Sequence, residues 1–284
     1  MRPHQWSKNL LVAVPPFMGQ VWNQPAVIWA SALAFLALSL AASGGYIIND
    51  LIDLESDRSH PEKKNRPLAS GELSKTASLI AGVLLIVAAM AIAVSGINGT
   101  FLLILLTYIV VSLTYSVFLK RLLLIDVFVL AGLYALRIMA GGAAAEVWVS
   151  SWLLLFSMFF FLSLAFAKRF TELEQTGESL AGGDSMRPYR GIDIDAFRTV
   201  GPASGMLSIL VLALYVTSDT VRSLYNQPKL LWLLCPLMLY WILRIWFITL
   251  RGKLHYDPVV FALRDRVSYA VILGIFIVIY FAYR

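Results

Sequence analysis

The chain has 284 residues, 59% of them hydrophobic and 14% charged, with a formal net charge of +6. Soluble domains carry about 45–50% apolar and about 25% charged residues, so an ordinary soluble fold is excluded. The single cysteine, Cys235, lies in an apolar run and rules out a disulfide framework or a thiolate metal cluster. Met1 leads straight into a polar stretch and then Pro15-Pro16, with no cleavable signal peptide in view. The proline-broken apolar block 10–22 reads as a first, short crossing. Blocks of roughly 20 apolar residues, the length that crosses a bilayer core, follow at 26–48, 77–96, 100–119, 124–144, 149–167, 201–217, 229–250 and 268–283. No segment between them is large enough for a soluble domain. Residues 1–284 therefore read as one all-α transmembrane domain of about nine helices.

Charge sets the orientation. With a cytoplasmic N-terminus and nine crossings, basic residues collect at 2–8, 58–75, 120–121, 168–198 and 244–266, all on the cytoplasmic side. Arg222, Lys229 and Arg284 fall on the other side, so this topology satisfies the positive-inside rule and its inverse violates it. Among the acids only Glu146 and Asp219 fall outside. One face is thus dense in both signs, which fits either solvated loops with lipid-binding cations or a site for a metal–phosphate substrate. The cations are split among short loops and form no stripe on a soluble module, so no nucleic-acid partner is expected.

The second span ends in Asn49-Asp50-Leu51-Ile52-Asp53-Leu54-Glu55-Ser56-Asp57. Asn49, Asp50, Asp53 and Asp57 share one face of a helix at this spacing. Three converging carboxylates repel one another, and at a helix C-terminus they also oppose the dipole. Hard divalent cations with oxygen ligands answer both problems. Mg²⁺, with Mn²⁺ as a substitute, is expected on Asn49, Asp50 and Asp53 together with substrate phosphate oxygens. Asp50, Asp53 and Asp57 are the candidate catalytic residues. The basic loop that follows supplies Arg58, Lys64 and Arg66, the layout that clamps a metal-bridged diphosphate. His60 suits a loop hydrogen bond as well as catalysis.

Other candidates follow in chain order. Lys8 precedes the first span and reads as a phosphate contact or a simple anchor. Tyr115 and Lys120 end the fourth span, with the same two readings open for Lys120. Asp126 and Arg137 are charges within the fifth span, where each costs several kcal/mol unless paired or facing a wet cavity. Each therefore reads as a substrate contact or as half of a structural ion pair. Lys168, Arg169 and Glu172 end the sixth span. Tyr189 and Arg190 lie in the glycine-containing stretch 175–198, which reads as a lid over a substrate. Asp257, Arg264, Asp265 and Arg266 suit ion pairs that order the cytoplasmic cap better than substrate contact.

The pattern NDxxDxxxD at 49–57, with HPxKxxRPxASG at 60–71 and RPHQWxKN at 2–9, resembles the UbiA superfamily of intramembrane prenyltransferases. The likeness continues through YSxxLKR at 115–121, Asp126 and Leu136-Arg137, AKRFTEL at 167–173, RPYRG at 187–191 and DPVVFALRDRVS at 257–268. It is most similar to the decaprenyl-phosphate phosphoribosyltransferase branch and to the membrane half of bacterial proteins fused to a phosphatase-like domain. With Met1 directly before this pattern, no such fused domain is expected here.

The resemblance implies nine helices around a central cavity open to lipid. It also implies a multi-pass enzyme of the bacterial inner membrane, its site facing the cytoplasm, with a homo-oligomer left open. Ordinary members carry a second cluster, DxxxD, after the sixth span, and this chain has Ala167-Lys168-Arg169-Phe170-Thr171-Glu172 there. Two cations in that place favour a further phosphate group. The implied reaction is Mg²⁺-dependent transfer of 5-phosphoribosyl from phosphoribosyl diphosphate to a polyprenyl phosphate among the membrane lipids, releasing diphosphate. Lys8, Arg58, Lys64, Arg66, Tyr115, Lys120, Asp126, Arg137, Lys168, Arg169, Glu172, Tyr189 and Arg190 are the substrate contacts. Prenyl transfer from a polyprenyl diphosphate to an aromatic or other small acceptor is the alternative.

Overall fold

The structure, a computed structural model, describes residues 3–59, 63–176, 188–254 and 257–284. Eight helical segments among these are long and apolar enough to cross a membrane, and they contain α1 (Pro25–Ile52), α2 (Lys75–Gly96), α3 (Gly99–Val117), α4 (Ile125–Ala145), α5 (Ser151–Thr176), α6 (Ile194–Thr217), α7 (Leu234–Leu250, which continues a 3₁₀ turn at Pro228–Leu233) and α8 (Arg266–Tyr283). This is an all-α, multi-pass membrane fold. The stretch expected as a short first crossing is irregular, a 3₁₀ helix at Pro3–Ala13 followed by one α-turn at Val14–Met18. Pro15 and Pro16 lack the N–H that an earlier α-helix would need, so the α-turn starts just before them. α5 runs well past its apolar block because residues 167–175 are mostly good helix formers.

The chain forms two compact units. The first, Met1–Val129 with Leu133–Val149, holds α1 to α4. Side-chain caps set two of its helix starts: Ser74 accepts from the Ala77 N–H, and Asn98 accepts from the Phe101 N–H. The Asn98 amide also donates to the Ala143 carbonyl at 2.7 Å, tying the start of α3 to the end of α4. α1 is the axis, packed on α2, α3 and the N-terminal segment through Ala34, Ala37, Leu38, Ala41 and Ala42. Lipid tails are as apolar as leucine, so association rests on close packing of small residues rather than on hydrophobic gain. Gly141 of α4 is an extreme case: a Cβ there would stand 2.2 Å from the Val12 carbonyl oxygen. The outward face of α2 carries Leu79, Ile80, Val83, Leu84 and Val87.

The second unit, Leu130–Gly132 with Ser150–Arg284, holds α5 to α8. Buried polar contacts join its helices. The Trp246 indole on α7 donates to Ser163 on α5 at 2.9 Å, and Ser163 donates to the Gly201 carbonyl on α6 at 2.7 Å. Gly201 has no room for a side chain, since a Cβ would meet the Trp246 ring at 2.1 Å. Trp241 donates to Ser268 at 2.9 Å, joining α7 to α8.

Arg244 grips Asp265 through two bonds of 2.7 and 2.9 Å, while Asp265 caps α8 at the Ser268 N–H. Partial burial works to raise the Asp265 carboxyl, but hydrogen bonds from Arg244 and Ser268, with the Arg244 charge, outweigh it and hold it below its usual range. A depressed carboxyl adds stability above the ordinary value of about 3.9 and loses it as pH falls through the folded value. Asp265→Asn keeps the cap and removes the charge. It is expected to cost about 1–2 kcal/mol at pH 7, with the difference from wild type closing below about pH 4. Detergent melts of both proteins at pH 7 and in acid test this, and an equal gap at both would contradict it.

Candidate functional site

The acidic motif begins in the last turn of α1. Asn49 and Asp50 are helical, Asp53 is the C-cap, and the short helix Leu54–Ser59 carries Asp57. The backbone bonds from Asp53 to Asn49 and from Asp57 to Asp53 carry the helical path across the break, so the shared face expected from the spacing is kept. Each carboxylate meets a cation. Arg66 reaches back from the basic loop and bridges Asp50 at 3.2 Å and the buried Asp57 at 2.5 Å. Lys120, buried after α3, donates to Asp53 at 2.6 Å, and the Asn49 amide donates to the other Asp53 oxygen at 3.1 Å.

The rest of the loop divides. Arg58 braces the backbone, donating from Nε to the Ala69 carbonyl at 3.2 Å, and Lys64 is exposed. His60 lies outside the described residues. Tyr115 is half-buried in the last turns of α3. Asp126 is fully buried in the first turn of α4, where the dipole favours an anion. The turn before it holds Leu124 at φ +63°, a conformation that costs a non-glycine residue about 1–3 kcal/mol.

Lys8 and Arg137 belong to a deeper polar group in the same unit. Arg137 donates from Nε to Asn9 at 2.9 Å, from Nη1 to the Leu133 carbonyl at 2.6 Å and from Nη2 to the Tyr108 hydroxyl at 2.8 Å. Asn9 in turn donates to Ser39 at 3.0 Å, and Trp6 donates to Ser43 at 3.0 Å. Lys8 and Arg137 both lie over the Tyr134 ring, at 5.7 and 5.4 Å from its centroid. Tyr108, Tyr134, Ser39 and Ser43 were not among the expected site residues. A signal for two of them exists: Ser39, Ser43, Tyr46 and Asp50 recur at i, i+4, i+7 and i+11, extending the aspartate face backwards along α1.

In the second unit, Lys168 pairs with Asp257 at 3.2 Å and Arg169 pairs with Glu172 one turn on. Asp257 also caps the short helix Pro258–Ala262, and Asp265 is gripped by Arg244, as expected of residues that order the cap. Tyr189 is buried, edge-on to Phe197 at 4.8 Å. Arg190 is exposed, its backbone N–H bonded to Asp193. Gly177, Gly182 and Gly183 of the expected lid lie outside the described residues.

Among the described residues no three His, Cys, Asp or Glu side chains form a metal cage. Arg66 and Lys120 hold the carboxylates of the acidic motif in ion pairs. Removing Arg66 would take from Asp50 and Asp57 the cation they share. Arg66→Ala is expected to cost about 2–4 kcal/mol, and adding Asp57→Asn should recover part of it. A thermal-melt double-mutant cycle measures this; strictly additive effects would mean the pair contributes nothing.

The model of the UbiA prenyltransferase family matches residues 12–264. The chain is 36% identical over 272 residues to the uncharacterized protein y4nM of Sinorhizobium fredii, covering 95% of this chain and 52% of that protein, so it spans about half the length of this relative. It is 31% identical to decaprenyl-phosphate phosphoribosyltransferase of Mycobacterium tuberculosis, over 94% of this chain and 87% of the relative. Among solved structures, a UbiA homolog from Archaeoglobus fulgidus bound to DMAPP and Mg²⁺ matches with a TM-score of 0.75 at 19% identity, over 98% of this chain and 96% of that one. That likeness carries the fold. The chain belongs to the UbiA prenyltransferase family and is a multi-pass membrane transferase.

Proposed function

We propose that the protein catalyses metal-assisted transfer from a diphosphate donor to a lipid acceptor, at the cytoplasmic face of a bacterial inner membrane. The observation that carries this is the row Asp50, Asp53 and Asp57 interleaved with Arg66 and Lys120 at the end of α1. The donor set fits Mg²⁺. It is all oxygen, and Mg²⁺ is usually held by one or two carboxylates with substrate phosphates and water rather than by a complete protein cage. Bound there by Asp50, Asp53 and Asn49, it would neutralise diphosphate oxygens. The Mg²⁺ in the A. fulgidus homolog supports the assignment.

The favoured donor is phosphoribosyl diphosphate and the favoured acceptor a polyprenyl phosphate. The bond from ribose C1 to the diphosphate breaks, and the electron pair leaves with diphosphate. An acceptor phosphate oxygen forms the new bond to C1. This oxygen is already anionic, so no strong general base is needed. Arg66 and Lys120 balance charge on the leaving group, and the apolar surroundings exclude competing water. The name of the M. tuberculosis relative and the cations Lys168 and Arg169 support this donor. Transfer from a prenyl diphosphate has the wider support from the comparisons, through the family description and the DMAPP of the A. fulgidus structure. The same carboxylates and cations would serve it.

Asp50→Ala and Asp53→Ala are each expected to abolish turnover in protein that still folds and inserts. Chelator should stop the wild type, with Mg²⁺ or Mn²⁺ restoring it and Zn²⁺ restoring it poorly. Chelator-resistant turnover would remove the metal assignment. Replacing Lys168 and Arg169 together by Ala is expected to lower kcat/KM for phosphoribosyl diphosphate by at least about tenfold, one charge-assisted contact being worth about 1.5–3 kcal/mol. Apparent affinity for polyprenyl phosphate should change much less. Wild type that ignores phosphoribosyl diphosphate and consumes a prenyl diphosphate with an aromatic acceptor would decide for the second donor.

A further inference from the structure

The two cations that meet the acidic motif are not interchangeable. Arg66 is 30% exposed and bridges two carboxylates, Asp50 and Asp57. When Asp50 turns to another ligand, Arg66 still holds Asp57. Lys120 has no such reserve. Its side chain is 6% exposed, and among the described residues the one carboxylate it pairs with is Asp53, at 2.6 Å. Its backbone is also fixed. Lys120 sits in the 3₁₀ turn Leu119–Arg121, closed by bonds from the Arg121 N–H to the Phe118 carbonyl and from the Leu122 N–H to the Leu119 carbonyl. Asp53, for its part, is engaged on both oxygens: Oδ1 accepts from Lys120, and Oδ2 accepts from the Asn49 amide at 3.1 Å.

This pair bears on the metal proposed for Asn49, Asp50 and Asp53. A metal there either shares Asp53 with Lys120 or displaces it. Sharing sets two cations on one carboxylate, closer together than the Debye length of about 8–10 Å, and burial weakens screening further. Displacement leaves a buried cation without its carboxylate, which is costly. Both routes penalise a bare divalent cation. The penalty is lifted when the metal brings an anion, because a diphosphate oxygen can accept from Lys120 in place of Asp53, as another charge-assisted bond.

We infer that the Lys120–Asp53 pair is an interlock, which lets the carboxylates take a divalent cation together with a diphosphate and resists the cation alone. This deepens the proposed metal-assisted transfer and rests on it. It holds for either donor, since both release diphosphate. Linkage makes the coupling reciprocal, so the metal raises affinity for diphosphate by the same factor.

The test is binding, read without turnover, on purified protein in detergent. Mn²⁺ alone is titrated by the loss of its free electron paramagnetic resonance signal, and preformed Mn²⁺–diphosphate by calorimetry. Wild type is expected to bind the complex at least tenfold more tightly than Mn²⁺ alone. Lys120→Gln keeps a hydrogen-bonding side chain and removes the charge. It is expected to bind Mn²⁺ alone at least tenfold more tightly than wild type and the complex at least tenfold more weakly. These opposite signs are the signature of the interlock. Arg66→Gln, which leaves Lys120 on Asp53, should tighten Mn²⁺ alone by less. A lysine that only contacts diphosphate would weaken the complex and leave Mn²⁺ alone unchanged. A purely structural lysine would weaken both and lower the melting temperature. Either result overturns the inference, as does an equal gain in Arg66→Gln. Should Lys120→Gln fail to fold, wild type decides: Mn²⁺ alone bound as tightly as the complex removes the interlock and leaves the metal-assisted reading standing. Binding of neither ligand by wild type sinks that reading and the interlock with it.

Discussion

Three carboxylates at the C-terminal end of α1 are the constraint around which the first unit is arranged. They repel one another and face the negative end of the helix dipole. The chain answers with one cation from each side: Arg66 from the loop that follows α1, and Lys120 from the turn between α3 and α4. Two connections are thereby pinned to one helix end. The basic loop folds back because Arg66 must reach Asp50 and Asp57 together. The turn after α3 is held with a residue at positive φ, Leu124, between Lys120 and Asp126. Strain of that kind persists where neighbouring contacts over-determine the backbone.

Deeper in the same unit the polar side chains tie the first segment to the bundle. Residues 3–13 run as a 3₁₀ helix, a form seldom kept beyond a few residues. External bonds hold it: Trp6 to Ser43, Asn9 to Ser39 and Arg137 to Asn9. Gly141 lets α4 approach Val12 at a distance no side chain permits. Polar groups satisfied only across helices make the register of the segment specific, because any slip would leave them unpaired in an apolar surrounding.

Hydropathy alone was enough to read the long helices, since a run such as 77–96 has no other stable home. It failed where amphipathic sequence continues a helix beyond the apolar block, as at 167–176, and where Pro15-Pro16 sits in a short block. The acidic face was legible from spacing, because Asn49, Asp50, Asp53 and Asp57 keep helical periodicity across the break at Asp53. Which cation meets which acid was not, because Arg66 and Lys120 lie in loops whose paths depend on tertiary contacts. Arg137 could be read as expensive but not as unaccompanied. Its neutral partners come from three separate places in the chain, Asn9, Tyr108 and Leu133. Tyr189 lies in irregular backbone, as its context implied, but its burial against Phe197 was not legible in the sequence.

The two cations that distinguish residues 167–172 are not equivalent in the second unit. Lys168 is one-third exposed, and its partner Asp257 is both shielded and committed to capping the Val259 N–H. Pulling Asp257 away would leave a cap unmade, so Lys168 meets an incoming anion as half of a fixed pair. Arg169 is the reverse: its side chain is 2% exposed, and its partner Glu172 is 41% exposed. Glu172 loses little by turning to water, because a carboxylate already in high dielectric gains little from one ion pair. An anion that takes its place keeps Arg169 neutralised and accepts from the guanidinium fork, the geometry that suits phosphate. On the proposed ribosyl reading, Arg169 is therefore the stronger phosphate ligand of the two.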